Sequence, residues 1–301
     1  MIIYLAGGQI DTAIVGFCPV VSDELSLTRQ NPLRINMKVS EFSRNTLRNK
    51  FASGTPGYGL WVTLESPTVT EIAAAMGVDW ICVDLEHGAL DFNDVLGHLR
   101  AAKGTGMAVL ARVPASRVDT IKKCLDIGVD GVLLPLINTA AELSEAFQHA
   151  RYPTTGKRGL GGERAVRWGL NIHEYIQRAN EDALIIPLIE TRAASENIEE
   201  ILDVPGLEAI FFGPADLSSS MGYLGEWEGP GVAEDILRIS ASAAKRGIVS
   251  GVIGMTPDDM KARVEQGFKM IGLGSDGGML IKQFKQIFGT LKGETYDHNW
   301  F

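Results

Sequence analysis

Eight times along the chain a short, almost uninterrupted apolar run is followed by an amphipathic segment of helical spacing, and few folds accept that pattern. The runs fall at 58–64, 79–86, 108–113, 131–137, 184–190, 209–212, 248–253 and 270–274. The helical segments fall at 67–76, 92–104, 117–127, 139–149, 193–203, 232–246, 257–266 and 278–288. A strand apolar at nearly every position is one buried on both faces, which is the situation of a parallel sheet covered by helices. Strict strand–helix alternation therefore predicts an α/β fold. Eight units match the closed (β/α)8 TIM barrel better than an open doubly wound sheet. A further stretch, 40–52, places Phe42, Leu47 and Phe51 among Arg, Asn and Lys and is expected as an N-terminal helix plugging one end of the core.

With 301 residues, 45% of them apolar, the chain can bury one large core. We expect a barrel domain at 37–292 and a polar tail at 293–301. Residues 1–36 read as an extension, either unstructured or upstream of a natural start at Met37. Asp11 interrupts its apolar run and no Lys or Arg precedes that run, which argues against a secretory signal. No run reaches the roughly 20 apolar residues of a membrane-spanning helix. A net charge of −9 works against a nucleic-acid surface, which needs clustered cations. Cys18, Cys82 and Cys124 are scattered, without a pairing pattern, as expected of a cytoplasmic protein.

In such a barrel, chemistry sits at the C-terminal ends of the strands. Here those ends are polar. The second run finishes in Asp84-Leu-Glu-His87, the third in Arg112, the fifth in Glu190 and the sixth in Gly213-Pro-Ala-Asp216. Glu190 and Asp216 follow adjacent apolar runs; carboxylates brought together in this way suit a hard divalent cation, and the alternative is a hydrogen-bond network with a helix cap. His87 is the one histidine of the five at a strand end, placed either as a general base or as a structural imidazole. Arg112 can meet an anionic substrate group or pair with Asp84 or Glu190. Trp61 lines either the pocket or the core. The long segment 150–183 is expected to be functional, as connections of that length tend to be, and its glycine-rich Gly159-Leu-Gly-Gly162 to form a flexible wall of the site.

Taken together, Gly59-Leu-Trp61, Val83-Asp-Leu-Glu-His-Gly88, Ala111-Arg-Val-Pro114, Leu125-Asp-Ile-Gly128, Arg158-Gly-Leu-Gly161, Ile189-Glu-Thr191 and Gly213-Pro-Ala-Asp-Leu-Ser218 resemble the HpcH/HpaI aldolases. These are metal-dependent pyruvate aldolases of the phosphoenolpyruvate/pyruvate barrel superfamily. The resemblance covers about 55–290.

The resemblance implies reversible retro-aldol cleavage of a 4-hydroxy-2-oxo acid, a 2-keto-3-deoxy sugar acid or a 4-hydroxy-2-oxo diacid, to pyruvate and an aldehyde. It implies Glu190 and Asp216 as ligands of a divalent metal, Mg2+ or Mn2+ first and Co2+ or Zn2+ as alternatives. It further implies Arg112 on the enolate oxygen, His87 with Asp126 as an acid/base dyad, Trp61 in the pocket wall, and the backbone at Ala215 and Asp216 on the pyruvate carboxylate. Homo-oligomers are implied as well, dimers that exchange their last helix and assemble into hexamers. Leu188 departs from the pattern, because a glutamine at that place approaches the keto oxygen. The same superfamily also contains oxaloacetate decarboxylases and thioester lyases of the citrate-lyase β and malyl-CoA kind; a non-catalytic barrel that binds a metal or a small acid is the remaining alternative.

Overall fold

The computed structural model describes residues 46–293; the extension 1–36, Phe42 and the tail from 294 lie outside the described residues. Eight parallel strands close in sequence order: β1 Gly57–Val62, β2 Trp80–Asp84, β3 Ala108–Arg112, β4 Gly131–Leu134, β5 Leu184–Ile189, β6 Ala209–Phe212, β7 Val249–Ile253 and β8 Met270–Ser275. The expected (β/α)8 barrel is thus the observed one.

Side chains alternate along each strand, because successive residues point to opposite faces. Trp61, Trp80, Cys82, Leu110, Leu133, Ile186, Leu188, Phe211 and Met270 fill the barrel interior. The outward set, such as Val62, Ile81, Val83, Val109 and Ile210, packs beneath the surrounding helices. The interior is tight enough to dictate a glycine: a Cβ on Gly59 would lie 1.9 Å from the Trp80 ring. Trp61, Trp80 and Phe211 meet edge-on or tilted, with centroids 5.4–6.4 Å apart. The N-terminal helix α1, Thr46–Ser53, buries Leu47 in this interior cluster and packs Phe51 against it, as expected of a plug.

The remaining helices are α2 Pro67–Ala75, α3 Phe92–Ala101, α4 Val118–Ile127, α5 Ala140–Ala150, α6 Ile172–Asp182, α7 Arg192–Glu196, α8 Ile198–Leu202, α9 Pro214–Ser220, α10 Val232–Lys245, α11 Pro257–Glu265 and α12 Asp276–Lys292. Two were not expected from sequence. Helix α6 forms within the long segment 150–183, and α9 opens directly after β6. The helix expected at 193–203 is two short pieces, since Asn197 leaves helical geometry (φ −94°, ψ 12°) and its side chain donates to the Asn138 carbonyl at 2.9 Å.

Segment 150–183 is anchored rather than loose. Arg158 is 2% exposed and donates to Asp126 Oδ1 at 2.8 Å and to the Tyr175 hydroxyl at 3.2 Å, while Arg164 donates to the Ile127 carbonyl at 2.8 Å. The segment lies along the end of α4. Among the described residues it contributes nothing to the lining of the main cavity. No helix among the described residues is long and apolar enough to cross a membrane.

Candidate active site

A cavity of about 500 Å³ opens at the C-terminal ends of the strands, within the volume range of small-molecule sites. Trp61, Asp84, His87, Arg112, Leu188, Glu190, Ala215 and Asp216 all line it, so every expected site residue except Asp126 converges there from one chain. Thr63, Phe211, Trp227, Ile253 and Ile281 complete much of its wall.

The registration of β2 against β3 sets Asp84 opposite Arg112. Arg112 Nε donates to Asp84 Oδ1 at 2.9 Å and its Nη2 donates to Asp84 Oδ2, a two-pronged pair at a site where Asp84 is 2% exposed. Asp84 Oδ1 also accepts the main-chain N–H of Glu86 at 3.0 Å and of His87 at 3.4 Å, which fixes the turn leaving β2. Burial would raise the Asp84 pKa, but the hydrogen bonds and charge of Arg112 outweigh it and hold the carboxyl below its usual range. Arg112 also faces Glu86 Oε2 at 3.2 Å, and its guanidinium lies 5.3 Å above the Trp61 ring. Of the two partners considered for Arg112 from sequence, Asp84 is the one it meets.

Glu190 is 4% exposed at the end of β5. Its Oε1 accepts the Leu136 main-chain N–H at 2.7 Å. Its pKa is pushed up to about 7, chiefly by burial and further by the charges of Asp216 and Glu86. Asp216 does not end β6; it sits in the first turn of α9. Between the two carboxylates lies Gly213. A Cβ there would stand 3.2 Å from Glu190 Oε2 and 3.6 Å from Asp216 Oδ2, so both oxygens border the space that the missing side chain leaves.

That arrangement fits a hard divalent cation. Two converging carboxylates, one of them buried with a raised pKa, are relieved by a cation, and their remaining faces open to a cavity that can hold water and substrate oxygens. Among the described residues no group of three or more His, Cys, Asp or Glu forms a closed metal cage.

His87 stands at the mouth, its side chain 65% exposed, with Nε2 3.9 Å from Glu86 Oε2. Asp126 does not line the cavity. It lies in the last turn of α4, bound to Arg158, and no dyad with His87 forms within the chain. Sequence reasoning named Asp84 as one of two partners for Arg112, and Glu86 only as a neighbour of His87. Their grip on Arg112 depends on the offset between β2 and β3, which no local pattern reveals. Trp227 and Ile281 were also missed: one comes from the connection after α9, the other from α12, and neither carried a signal.

The model of the HpcH/HpaI aldolase/citrate lyase family matches residues 57–283. A hydroxypyruvate/pyruvate aldolase of Deinococcus radiodurans is 35% identical over 266 residues, covering 86% of this chain and 94% of that relative. A 5-keto-4-deoxy-D-glucarate aldolase of Klebsiella pneumoniae is 32% identical over 248 residues, covering 81% of this chain and 97% of that one. The crystal structure of an HpcH/HpaI aldolase/citrate lyase family protein from Burkholderia cenocepacia matches with a TM-score of 0.78 and 30% identity, over 82% of this chain and 99% of that one. The match runs from the first barrel strand into α12 and takes in nearly the whole length of each relative, so the chain belongs to the HpcH/HpaI aldolase/citrate lyase family.

Proposed function

We propose that this aldolase cleaves a 4-hydroxy-2-oxo acid, a 2-keto-3-deoxy sugar acid or a 4-hydroxy-2-oxo diacid, to pyruvate and an aldehyde. The observation that carries the reading is the convergence of Glu190 and Asp216 across Gly213, in one cavity with Arg112 and His87. The relatives' names, hydroxypyruvate/pyruvate aldolase and 5-keto-4-deoxy-D-glucarate aldolase, support the same reaction class.

Glu190 and Asp216 would hold the divalent metal that the family uses, and the hardness of the two oxygen donors favours Mg2+ or Mn2+. When bound, the metal supplies Lewis-acid polarisation of the 2-oxo group. The backbone N–H groups of Ala215 and Asp216 have no partner within α9, because a helix leaves its first amides unpaired, and they receive the pyruvate carboxylate. Arg112, held in place by Asp84, sets its charge against the oxygen on which the enolate builds up. Trp61 forms the wall beneath Arg112. Leu188 is buried and presents no hydrogen bond to the keto oxygen, which leaves that oxygen to Arg112 and the metal site.

In the cleavage direction His87 takes the proton of the C4 hydroxyl. The C4 oxygen then forms a carbonyl, the C3–C4 bond breaks, and its electron pair passes to the pyruvate half, which takes up a proton to give the methyl group. Asp126 reaches His87 from a neighbouring copy. Met279, Leu280, Ile281, Phe284, Ile287 and Leu291 leave a row of exposed apolar side chains on α12, which a second copy covers in an oligomer. We place the enzyme in the cytoplasm.

Pyruvate release from a panel of such acids, with Mg2+ or Mn2+ and after chelation, tests the reading. Glu190→Ala and Asp216→Ala should lose metal binding and turnover together; full turnover by chelated wild type would overturn the metal assignment.

A further inference from the structure

The geometry points to Glu86 as a further positioning residue, one that receives the substrate's C4 hydroxyl beside His87. The inference rests on the aldolase reading above and adds a residue to it.

Three groups meet at one atom. Asp84 already takes Nε and Nη2 of Arg112, so Nη1 is the arm left over, and Glu86 Oε2 stands 3.2 Å from it. The same oxygen is 3.9 Å from His87 Nε2. It is shielded from solvent, and its contact with Arg112 is an ion pair without hydrogen-bond geometry, so no donor is aligned on it. A buried carboxylate oxygen left without a donor is uncommon, and one at a cavity mouth invites a donor from the ligand. Its placement identifies that donor. A hydroxyl oxygen at ordinary hydrogen-bond lengths from both Oε2 and Nε2 fits across a separation of 3.9 Å; its single proton points to Oε2 as the substrate docks and turns to Nε2 when His87 takes it. Of the atoms in a 4-hydroxy-2-oxo acid, only the C4 hydroxyl is both a donor and the group whose proton His87 must collect.

A carboxylate that served only to balance Arg112 would need neither its place beside His87 nor an open oxygen. The two roles predict different kinetics. Exchange of the pyruvate methyl hydrogens needs Arg112 and the metal site but no C4 hydroxyl, whereas cleavage needs all of them.

The test compares wild type and Glu86→Gln in two assays, deuterium exchange into the pyruvate methyl group by NMR with Mg2+ or Mn2+, and pyruvate release from a 4-hydroxy-2-oxo acid. Cleavage should fall by about tenfold or more, as for loss of one acid/base partner, while exchange stays within about threefold. The KM for the aldehyde in the condensation direction should rise with it. Equal losses in both assays, or none in either, would overturn the inference while leaving the aldolase reading intact. If Glu86→Gln does not fold, Glu86→Asp, which keeps the charge but withdraws the oxygen, is read in the same way. Wild type without metal-dependent exchange and without cleavage would overturn the aldolase reading and this inference with it.

Discussion

Leu136 donates its main-chain N–H to Glu190 Oε1 at 2.7 Å, and it does so from a backbone φ of 55°, in the left-handed region that side chains with a Cβ avoid. The side chain is 60% exposed, so packing does not impose that conformation. The bond to a buried carboxylate offsets it, at a residue two positions beyond the end of β4. Leu136→Gly should therefore retain stability and metal affinity, because glycine takes this conformation freely. Leu136→Ile should destabilise by about 1 kcal/mol and weaken metal binding, since β-branching penalises a positive φ further. Chemical denaturation and titration with Mn2+ check both.

Gly213 has an ordinary φ of −102°, so an alanine there meets no backbone strain. Its Cβ would nevertheless stand 3.1 Å from Glu190 Cβ and 3.2 Å from Oε2, tighter than ordinary contact. Gly213→Ala should fold like wild type and lose metal affinity by about tenfold or more, as expected when the geometry of a ligating carboxylate is disturbed. Calorimetric titration with Mn2+ measures the loss; unchanged affinity would mean that the cation is held elsewhere.

The Glu190 carboxyl has its pKa pushed up from 4.5 to about 7, mainly by burial. A carboxyl with a higher pKa folded than unfolded favours the fold only while protonated. Its ionisation thus costs stability, starting above the ordinary carboxylate range and reaching its full extent above about pH 7. In the absence of metal, Glu190→Gln should be more stable than wild type at pH 8 by a few kcal/mol, on the order the shift implies. The difference should close as the pH falls toward 4.5. Metal affinity of the wild type should weaken below about pH 7, where the proton competes for the same oxygens. Thermal unfolding and metal titration across this range test the sign in both experiments.

Asp126 is bound to Arg158 and stays apart from His87 of its own chain. If it serves His87 across an interface, Asp126→Asn and His87→Ala should each be impaired alone. Mixed after dissociation, the two variants should regain part of the wild-type rate, because some sites then combine one intact His87 with one intact Asp126. Absence of any recovery in verified mixed oligomers would confine Asp126 to its structural pair with Arg158.

The eight-unit barrel was legible in the chain because it is written in periodicity. A buried parallel strand must be apolar along its length, its helix must be apolar on one stripe, and the repetition leaves little else to fold into. The candidate site was legible to the extent that polar residues stand at strand ends: Glu190, Arg112 and His87 lie where such ends predict, and all three line the cavity. Asp216 was read as a strand terminus, whereas Pro214 starts α9 at once and lifts the carboxylate into a helical turn.

What only the tertiary structure decided are relationships between strands. The registration of β2 against β3 places Asp84 on Arg112, and with it Glu86 on the remaining arm. The closeness of β5 and β6 makes Gly213 the gap between two carboxylates. A left-handed Leu136 supplies a main-chain donor to Glu190. These depend on offsets of a few ångströms between segments far apart in the chain, set by how the interior side chains pack. By itself the sequence determined which residues stand at the rim, and the closed barrel decided which of them touch.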